Sequence, residues 1–219
     1  MGDRQKNYIP ALGYRWLTNL YDPIMRWTMH EEAFKSQLVR QLNATEEHRI
    51  LDLGCGTATL TLFLKQTYPH CELVGLDGDP DVLFIAKKKA EMAGALIEFH
   101  QGFSYDLPYP DESFNRVVSS LLFHHLTYED KLRTLREAYR VLKPGGELHL
   151  ADWGKPRNKW SRFAFLSVQM IDGFETTKDN VEGKLPELMN DSGFSETRET
   201  NQFTTVYGTL SLYRAIKTK

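Results

Sequence analysis

Three groups of residues in this chain have types and spacings suited to chemistry. The first is Leu51-Asp52-Leu53-Gly54-Cys55-Gly56-Thr57-Ala58, where two glycines follow an acidic residue. Glycines let the backbone turn tightly and come close to a ligand, and the small residues after them let a helix N-terminus do the same. Asp77 lies 21 residues beyond Gly56, where a carboxylate can accept both ribose hydroxyls of an adenosine ligand. The second group is His124-His125; an imidazole titrates near neutrality and can take a proton from an attacking amine or hydroxyl. The third is Asp152, which can orient an acceptor or serve as base, or can cap Trp153-Gly154.

Two nucleoside cofactors fit the glycine loop with Asp77. A nicotinamide dinucleotide site uses Gly-x-Gly-x-x-Gly, and Thr59 stands where the third glycine would be. About fifty residues also precede the loop, whereas dinucleotide folds usually begin with it. A ligand without a pyrophosphate tolerates the missing glycine. The acidic Asp52 suits an ammonium group and would be awkward beside a pyrophosphate. S-adenosylmethionine is therefore favoured over a nicotinamide, whose oxidoreductase chemistry remains the competing class.

These residues must be positioned by elements that the pattern predicts. Residues 14–42 read as helix, with Phe34, Leu38 and Leu42 on one face. Arg49 to Leu53 and Glu72 to Asp77 read as buried strands, with a helix from Thr57 to Thr67 between them. Asp79-Pro80 starts a helix that turns Val82, Leu83, Ala86 and Ala90 inward and ends at Gly94. Leu96 to His100 and Asn115 to Leu122 are the next strands. Thr127 with Asp130 resembles a capping box before a helix carrying Leu132, Leu135, Tyr139 and Leu142. Lys143-Pro144-Gly145-Gly146 ends that helix, and Glu147 to Trp153 is the fifth strand. Trp160 to Ile171 reads as helix, apolar on more than one face, then a loop, then a short helix from Leu185 to Asp191. Two final strands meet near Tyr207-Gly208 and must pair antiparallel. The fold class expected is α/β, a Rossmann-like, doubly wound, mostly parallel sheet ending in an antiparallel hairpin.

Composition narrows the function. The 219 residues suit one domain, and 41% apolar with 26% charged residues is ordinary for a globular chain. With 27 basic and 29 acidic side chains there is no net attraction to nucleic acid, and Lys87-Lys88-Lys89 reads as a solvated helix face. Two cysteines cannot make a disulfide framework and point to the reducing cytoplasm. The N-terminus lacks the apolar core of a signal peptide, and no apolar run is long enough for a membrane span. No zinc-ligand spacing, Walker loop or Ser/His/Asp triad is visible, so no metal is expected.

Four segments resemble the class I S-adenosylmethionine-dependent methyltransferases, specifically the branch that includes the ubiquinone/menaquinone methyltransferases. They are Asp52-Leu-Gly-Cys-Gly-Thr-Ala, Val74-Gly-Leu-Asp-Gly-Asp-Pro, Leu107-Pro-Tyr-Pro-Asp-Glu-Ser-Phe-Asn, and Leu135-Arg-Glu-Ala-Tyr-Arg-Val-Leu-Lys-Pro-Gly-Gly. The resemblance covers roughly residues 48–153, and Gly193-Phe194 fits the family's final hairpin. It implies a single domain with a helical lid over 1–45, a cofactor-binding core over 48–153, a helical substrate-side segment over 154–193 and a terminal hairpin over 194–219. It implies that Gly54, Gly56 and Asp77 bind S-adenosylmethionine, with Asp52 near the aminoacyl end, and that Tyr21, Cys55, Gly78, Phe103, Ser104 and Leu121 also line the cofactor. S-adenosylhomocysteine would be the product. His125 and Asp152 are the catalytic candidates, His125 ahead of His124.

Two positions depart from the family pattern. Phe103-Ser104 replaces the acidic residue that many relatives place after the third strand, leaving adenine to apolar contact and backbone amides, with Ser104 as a further acceptor. Asn115 replaces an Asp after Phe114. Either change could weaken the cofactor's grip, which motivates the alternative of a cofactor-binding protein with lost or regulatory activity. The expected partner is otherwise a small-molecule acceptor, aromatic or apolar, because Tyr14, Trp16, Tyr21, Trp27, Trp153, Trp160 and Phe163 cluster in the lid and substrate-side segments.

Overall fold

The computed structural model describes residues 31–218. Tyr21 and most of the expected lid lie outside the described residues. Helix α1 (Glu31–Gln41) buries Phe34, Leu38 and Val39 against the sheet, the four-residue spacing its sequence shows. Strand β1 (Arg49–Leu53) alternates: Leu51 and Leu53 enter one apolar layer, and Ile50 enters the other with α1 and α2. Helix α2 (Thr59–Thr67) begins two residues later than its pattern suggests. Gly54, Gly56 and Ala58 all take left-handed backbone angles, so the chain is still turning where helix was expected.

Strand β2 (Glu72–Asp77) leads to α3 (Pro80–Met92). Asp79 caps that helix, its Oδ1 accepting from the amide of Asp81 at 2.8 Å. Leu83, Ala86 and Ala90 are buried as expected, whereas Val82 is only half-buried. Strands β3 (Glu98–Gln101) and β4 (Phe114–Ser120) follow. Strand β4 stops two residues short of expectation because Leu121 adopts φ +58° and a short 3-10 turn (Phe123–His125) begins. Helix α4 (Tyr128–Val141) is capped by Thr127, whose hydroxyl accepts from the amide of Asp130.

Strand β5 (Leu142–Trp153) begins at the end of that helix. Helix α5 (Lys159–Asp172) turns Phe165, Val168 and Gln169 inward and leaves Trp160, Phe163, Met170 and Ile171 exposed on the other side. The next segment is helix α6 (Phe174–Glu182), not the loop expected. Its buried positions are Thr177, Asp179 and Asn180, so it carries no apolar stripe to announce it. Helix α7 (Leu185–Asp191) and strands β6 (Ser195–Thr205) and β7 (Gly208–Ile216) complete the described chain.

Among the described residues the sheet has seven strands, in the order β3-β2-β1-β4-β5-β7-β6. The first five are parallel; β7 pairs antiparallel with both β5 and β6. Helices cover both faces, as a parallel sheet requires. One apolar layer holds Leu51, Leu53, Val74, Phe114, Leu135 and Leu188; the other holds Phe34, Ile50, Leu73, Val118, Trp153 and Leu212. The β5–β7 seam is pinned by Arg214, whose Nε and Nη2 each donate to a Glu147 oxygen at 2.7 Å. Burial would raise the Glu147 carboxyl, but the Arg214 fork and nearby Arg116 win and hold it below the usual range.

Candidate active site

Strand order reverses between β1 and β4, and in open parallel sheets that switch leaves a crevice beyond the carboxyl ends of the strands. The glycine loop, Asp77, Leu121, the His124-His125 turn and Asp152 all lie at this edge. The amides of Gly54 and Cys55 donate to the Leu76 carbonyl at 2.8 and 3.0 Å, folding the loop onto the end of β2. Asp77 completes the fold: its Oδ2 accepts from the Gly56 amide and its Oδ1 from the Asp79 amide, each at 2.9 Å. A carboxylate offers about four acceptor positions, and with the Gly78 amide also against it only part of this one remains for a further donor. Burial raises the Asp77 carboxyl, and the Asp79 and Gly56 amides oppose the rise. Gly56 has φ +54°, and a Cβ built on it meets nothing within 4 Å; beside Gly54 the same probe reaches the Leu122 side chain at 3.0 Å. The open side of the loop is therefore at Gly56.

Asp52 shares the face of β1 turned toward α1 and α2. It is buried, and its Oδ2 accepts from the Thr61 hydroxyl at 2.6 Å. Burial pushes its carboxyl up to about 6, against the Thr61 hydrogen bond and the charge of Lys35. A cation arriving nearby would relieve that burial penalty. Cys55 turns inward: a Cβ on Gly75 would lie 3.0 Å from its Sγ, and burial raises the thiol far above its ordinary value. It offers a ligand its backbone and no thiolate.

The remaining cofactor candidates divide. Leu121 sits at the switch, its amide donating to the Ala151 carbonyl at 2.8 Å. Gly78 lies between Asp77 and Asp79 at the loop's edge. Phe103 stacks on Tyr105, ring centroids 5.3 Å apart. Ser104 is buried with its hydroxyl 2.9 Å from that of Thr134 on α4, and a hydroxyl so paired keeps acceptor capacity. Asn115 stands at the opposite, amino-terminal end of β4. There its Oδ1 accepts from the Arg49 amide at 3.0 Å and from Lys143 Nζ at 3.3 Å. This is a clamp between strand starts, remote from the crevice.

At the other wall, Asp152 ends β5 buried and surrounded by donors. Its Oδ2 accepts from the Phe123 amide at 2.7 Å; its Oδ1 accepts from the Trp153 amide at 2.7 Å and Asn180 Nδ2 at 3.1 Å, and faces His124 Nδ1 at 2.9 Å. Burial alone would raise this carboxyl, but His124 and the amides hold it below the ordinary range. His124 moves the other way: burial opposes its charge, and Asp152 with Asp172 outweighs burial and raises it. A carboxylate so thoroughly occupied orients its neighbour and is a poor base. His125 is half-buried, and burial plus the charge of His124 pulls it down to about 3. Its imidazole is neutral across the physiological range.

Three partners in this wall had no sequence signal. Asn180 comes from the unforeseen α6, Asp172 ends α5, and Lys131 on α4 is buried against Asp179 at 3.1 Å. Each was legible only as a polar residue, Asn180 within an expected loop, since the contacts join distant segments.

Comparison with known proteins agrees with this geometry. Residues 50–146 match the family model described as a methyltransferase domain. A demethylmenaquinone methyltransferase of Thermus thermophilus is 41% identical over 108 residues, covering 49% of this chain and 48% of that protein. The chain thus spans about half the length of this relative. Another, from Symbiobacterium thermophilum, is 30% identical over 192 residues and covers 76% of each protein. Among solved structures, the YcgJ protein of Bacillus subtilis has the same fold, with TM-score 0.71 at 17% identity, covering 84% of this chain and 98% of that one. The chain belongs to the class I S-adenosylmethionine-dependent methyltransferases, in the branch that holds the demethylmenaquinone enzymes.

Proposed function

We propose that this chain moves a methyl group from S-adenosylmethionine to an O, N or C nucleophile of a small molecule, by in-line displacement that leaves S-adenosylhomocysteine. The observation that carries this reading is the Asp77 carboxylate, which spans the Gly56 and Asp79 amides while keeping acceptor capacity beside the open face of Gly56. When bound, the donor supplies an electrophilic methyl on a sulfonium. Asp77 binds the two ribose hydroxyls, and the Gly54–Gly56 backbone gives the adenosyl group close approach. Gly78, Phe103 and Leu121 border it. Asp52 offers its charge to the donor's ammonium. Asp152 is a positioning residue: it fixes the His124 ring through Nδ1. His125, neutral and partly exposed, is the catalytic residue that orients the acceptor by accepting a hydrogen bond from it.

An apolar, aromatic acceptor suits the surroundings. Trp153 and Phe165 pack edge to face at 5.3 Å beneath α5, whose outer side exposes Trp160, Phe163, Met170 and Ile171. The relatives' names supply a specific candidate, a demethylated menaquinol. Nucleic acid is excluded from the proposal on the balanced charge of the chain. The two cysteines are free and buried, which suits the cytoplasm. Among the described residues, no helix is long and apolar enough to cross a membrane.

The test combines binding with turnover. Methyl-labelled S-adenosylmethionine is incubated with the chain and either reduced demethylmenaquinone or a metabolite extract, and products gaining one methyl are sought by mass spectrometry. Calorimetry with S-adenosylhomocysteine should show Asp77→Ala weakening binding by roughly 10- to 150-fold, the worth of hydrogen bonds to a charged group. Unchanged affinity in that variant would overturn the assignment of the crevice. Binding without consumption of the donor in any extract would leave a binder in place of an enzyme. His125→Ala should lower kcat at all pH values while sparing S-adenosylhomocysteine affinity; an unaltered kcat removes His125 from the reaction.

A further inference from the structure

The geometry points to a divalent-cation site formed by His124 Nε2, His125 Nδ1 and the Asp172 carboxylate at the acceptor side of the crevice. His124 Nε2 lies 3.7 Å from Asp172 Oδ2, and His125 Nδ1 lies 3.7 Å from Asp172 Oδ1. All three ligating atoms fall within 4.8 Å of one another. Around a cation with bonds of about 2.1 Å, two ligands of a tetrahedron stand about 3.4 Å apart, so small rotations of these side chains would close the set. The gaps are too long for hydrogen bonds, and among the described residues the Asp172 carboxylate accepts none. It faces two imidazoles across a space one ion wide.

Two further observations support a cation there. A metal-bound imidazole characteristically gives its other nitrogen to a carboxylate, which fixes its tautomer and direction. His124 has this arrangement: Nδ1 meets Asp152 at 2.9 Å, and the Phe123, Trp153 and Asn180 donors lock Asp152 in turn. The second observation is charge. Lys131 is neutralised by Asp179, leaving Asp152 and Asp172 as two largely buried carboxylates in one wall. One imidazolium balances only one of them, whereas a divalent ion balances both. Two imidazoles and a carboxylate suit zinc or a similar first-row ion with a position left open. An oxygen of the acceptor would fill that position. The site stands on these three side chains and does not depend on methyl transfer being the reaction.

The experiment uses the full chain, stripped with chelator and titrated with Zn2+ alone by calorimetry, then loaded with Co2+ to read its visible absorption. One Zn2+ per chain and intense ligand-field bands are expected. Asp172→Asn and His125→Ala, each checked for an intact fold by circular dichroism, should each weaken Zn2+ at least tenfold, and Asp152→Asn by roughly 10- to 100-fold through the tilted His124 ring. His70→Ala, an exposed histidine elsewhere, should change nothing. Absence of Zn2+ uptake, or uptake indifferent to the three substitutions, overturns the site and leaves an ion pair of His124 with its two carboxylates. S-adenosylhomocysteine affinity measured on the same samples separates the proposals. Its loss with Zn2+ binding intact would sink the methyl-transfer reading alone.

Discussion

Asp52 is a buried carboxylate whose charged form is held at a cost. Its folded value of about 6 stands above the ordinary 3.8, so between those values the folded chain keeps a proton that the unfolded chain has released. Stability from this group therefore falls as pH rises from about 4 to about 6 and stays reduced above that; the two-unit gap corresponds to about 3 kcal/mol. Asp52→Asn keeps an oxygen for Thr61 and removes the charge. Urea unfolding should show this variant more stable than the parent by about 1–3 kcal/mol at pH 7, with the advantage gone near pH 4. The same variant should bind S-adenosylhomocysteine more weakly, because the ammonium loses its counter-charge. In the parent, that affinity should fall as pH drops below about 6, by at most tenfold per unit. Gain of stability with loss of affinity is the expected mark of a charge retained for a ligand. An affinity flat with pH would remove Asp52 from the ammonium site.

Elements built on periodic apolar residues were readable in the sequence, and those built on polar contacts were not. Phe34, Leu38 and Leu42 announced α1, and Leu83, Ala86 and Ala90 announced α3. Helix α6 stayed hidden because Thr177, Asp179 and Asn180 are what it buries. It is held by polar bonds such as Gln169 Nε2 to Thr177 Oγ1 at 3.0 Å and Asn180 Nδ2 to the Trp153 carbonyl at 2.9 Å. The site divides the same way. The glycine loop and Asp77 were legible because their spacing is local to one βαβ unit. The contacts of Ser104 and Asn115 were not legible, because their partners, Thr134 and Arg49, come from other elements. At this scale Gly75 gives a direct test. A Cβ there would lie 2.8 Å from the Phe99 ring and 3.0 Å from Cys55 Sγ, between β2 and the loop. Gly75→Ala should destabilise the chain by about 1–3 kcal/mol through overpacking and, by pushing Cys55, loosen the loop. Chemical denaturation and S-adenosylhomocysteine titration should move together; a loss of stability with unchanged affinity would separate loop from strand.

Across the whole molecule, strand order sets what depends on what. The five parallel strands carry the crevice, and β7 joins them to β6 through the β5 seam. Glu147 sits on that seam between Arg214 and Arg116, the latter at 3.7 Å. Its carboxyl is held below the ordinary value of about 4.3, so its contribution is complete above that value and is lost as pH falls through it and lower. Glu147→Ala should cost about 2–4 kcal/mol at pH 7 by leaving two guanidiniums half-covered without their carboxylate, and the difference from the parent should shrink in acid. Thermal melts from pH 7 to pH 3 check both statements; a constant difference would mean that packing, not charge, holds the seam.

The placement of β7 between two earlier strands also governs how a nascent chain can behave. Until residues 208–216 leave the ribosome, β6 has no neighbour to bond and the outer side of β5 stands bare. Each is an open template for another chain. The apolar layer that Leu210 and Leu212 complete cannot close before then. Any state in which residues 208–216 have not docked therefore carries the least protected edges of the sheet, and a variant that loosens β7 should favour clumping.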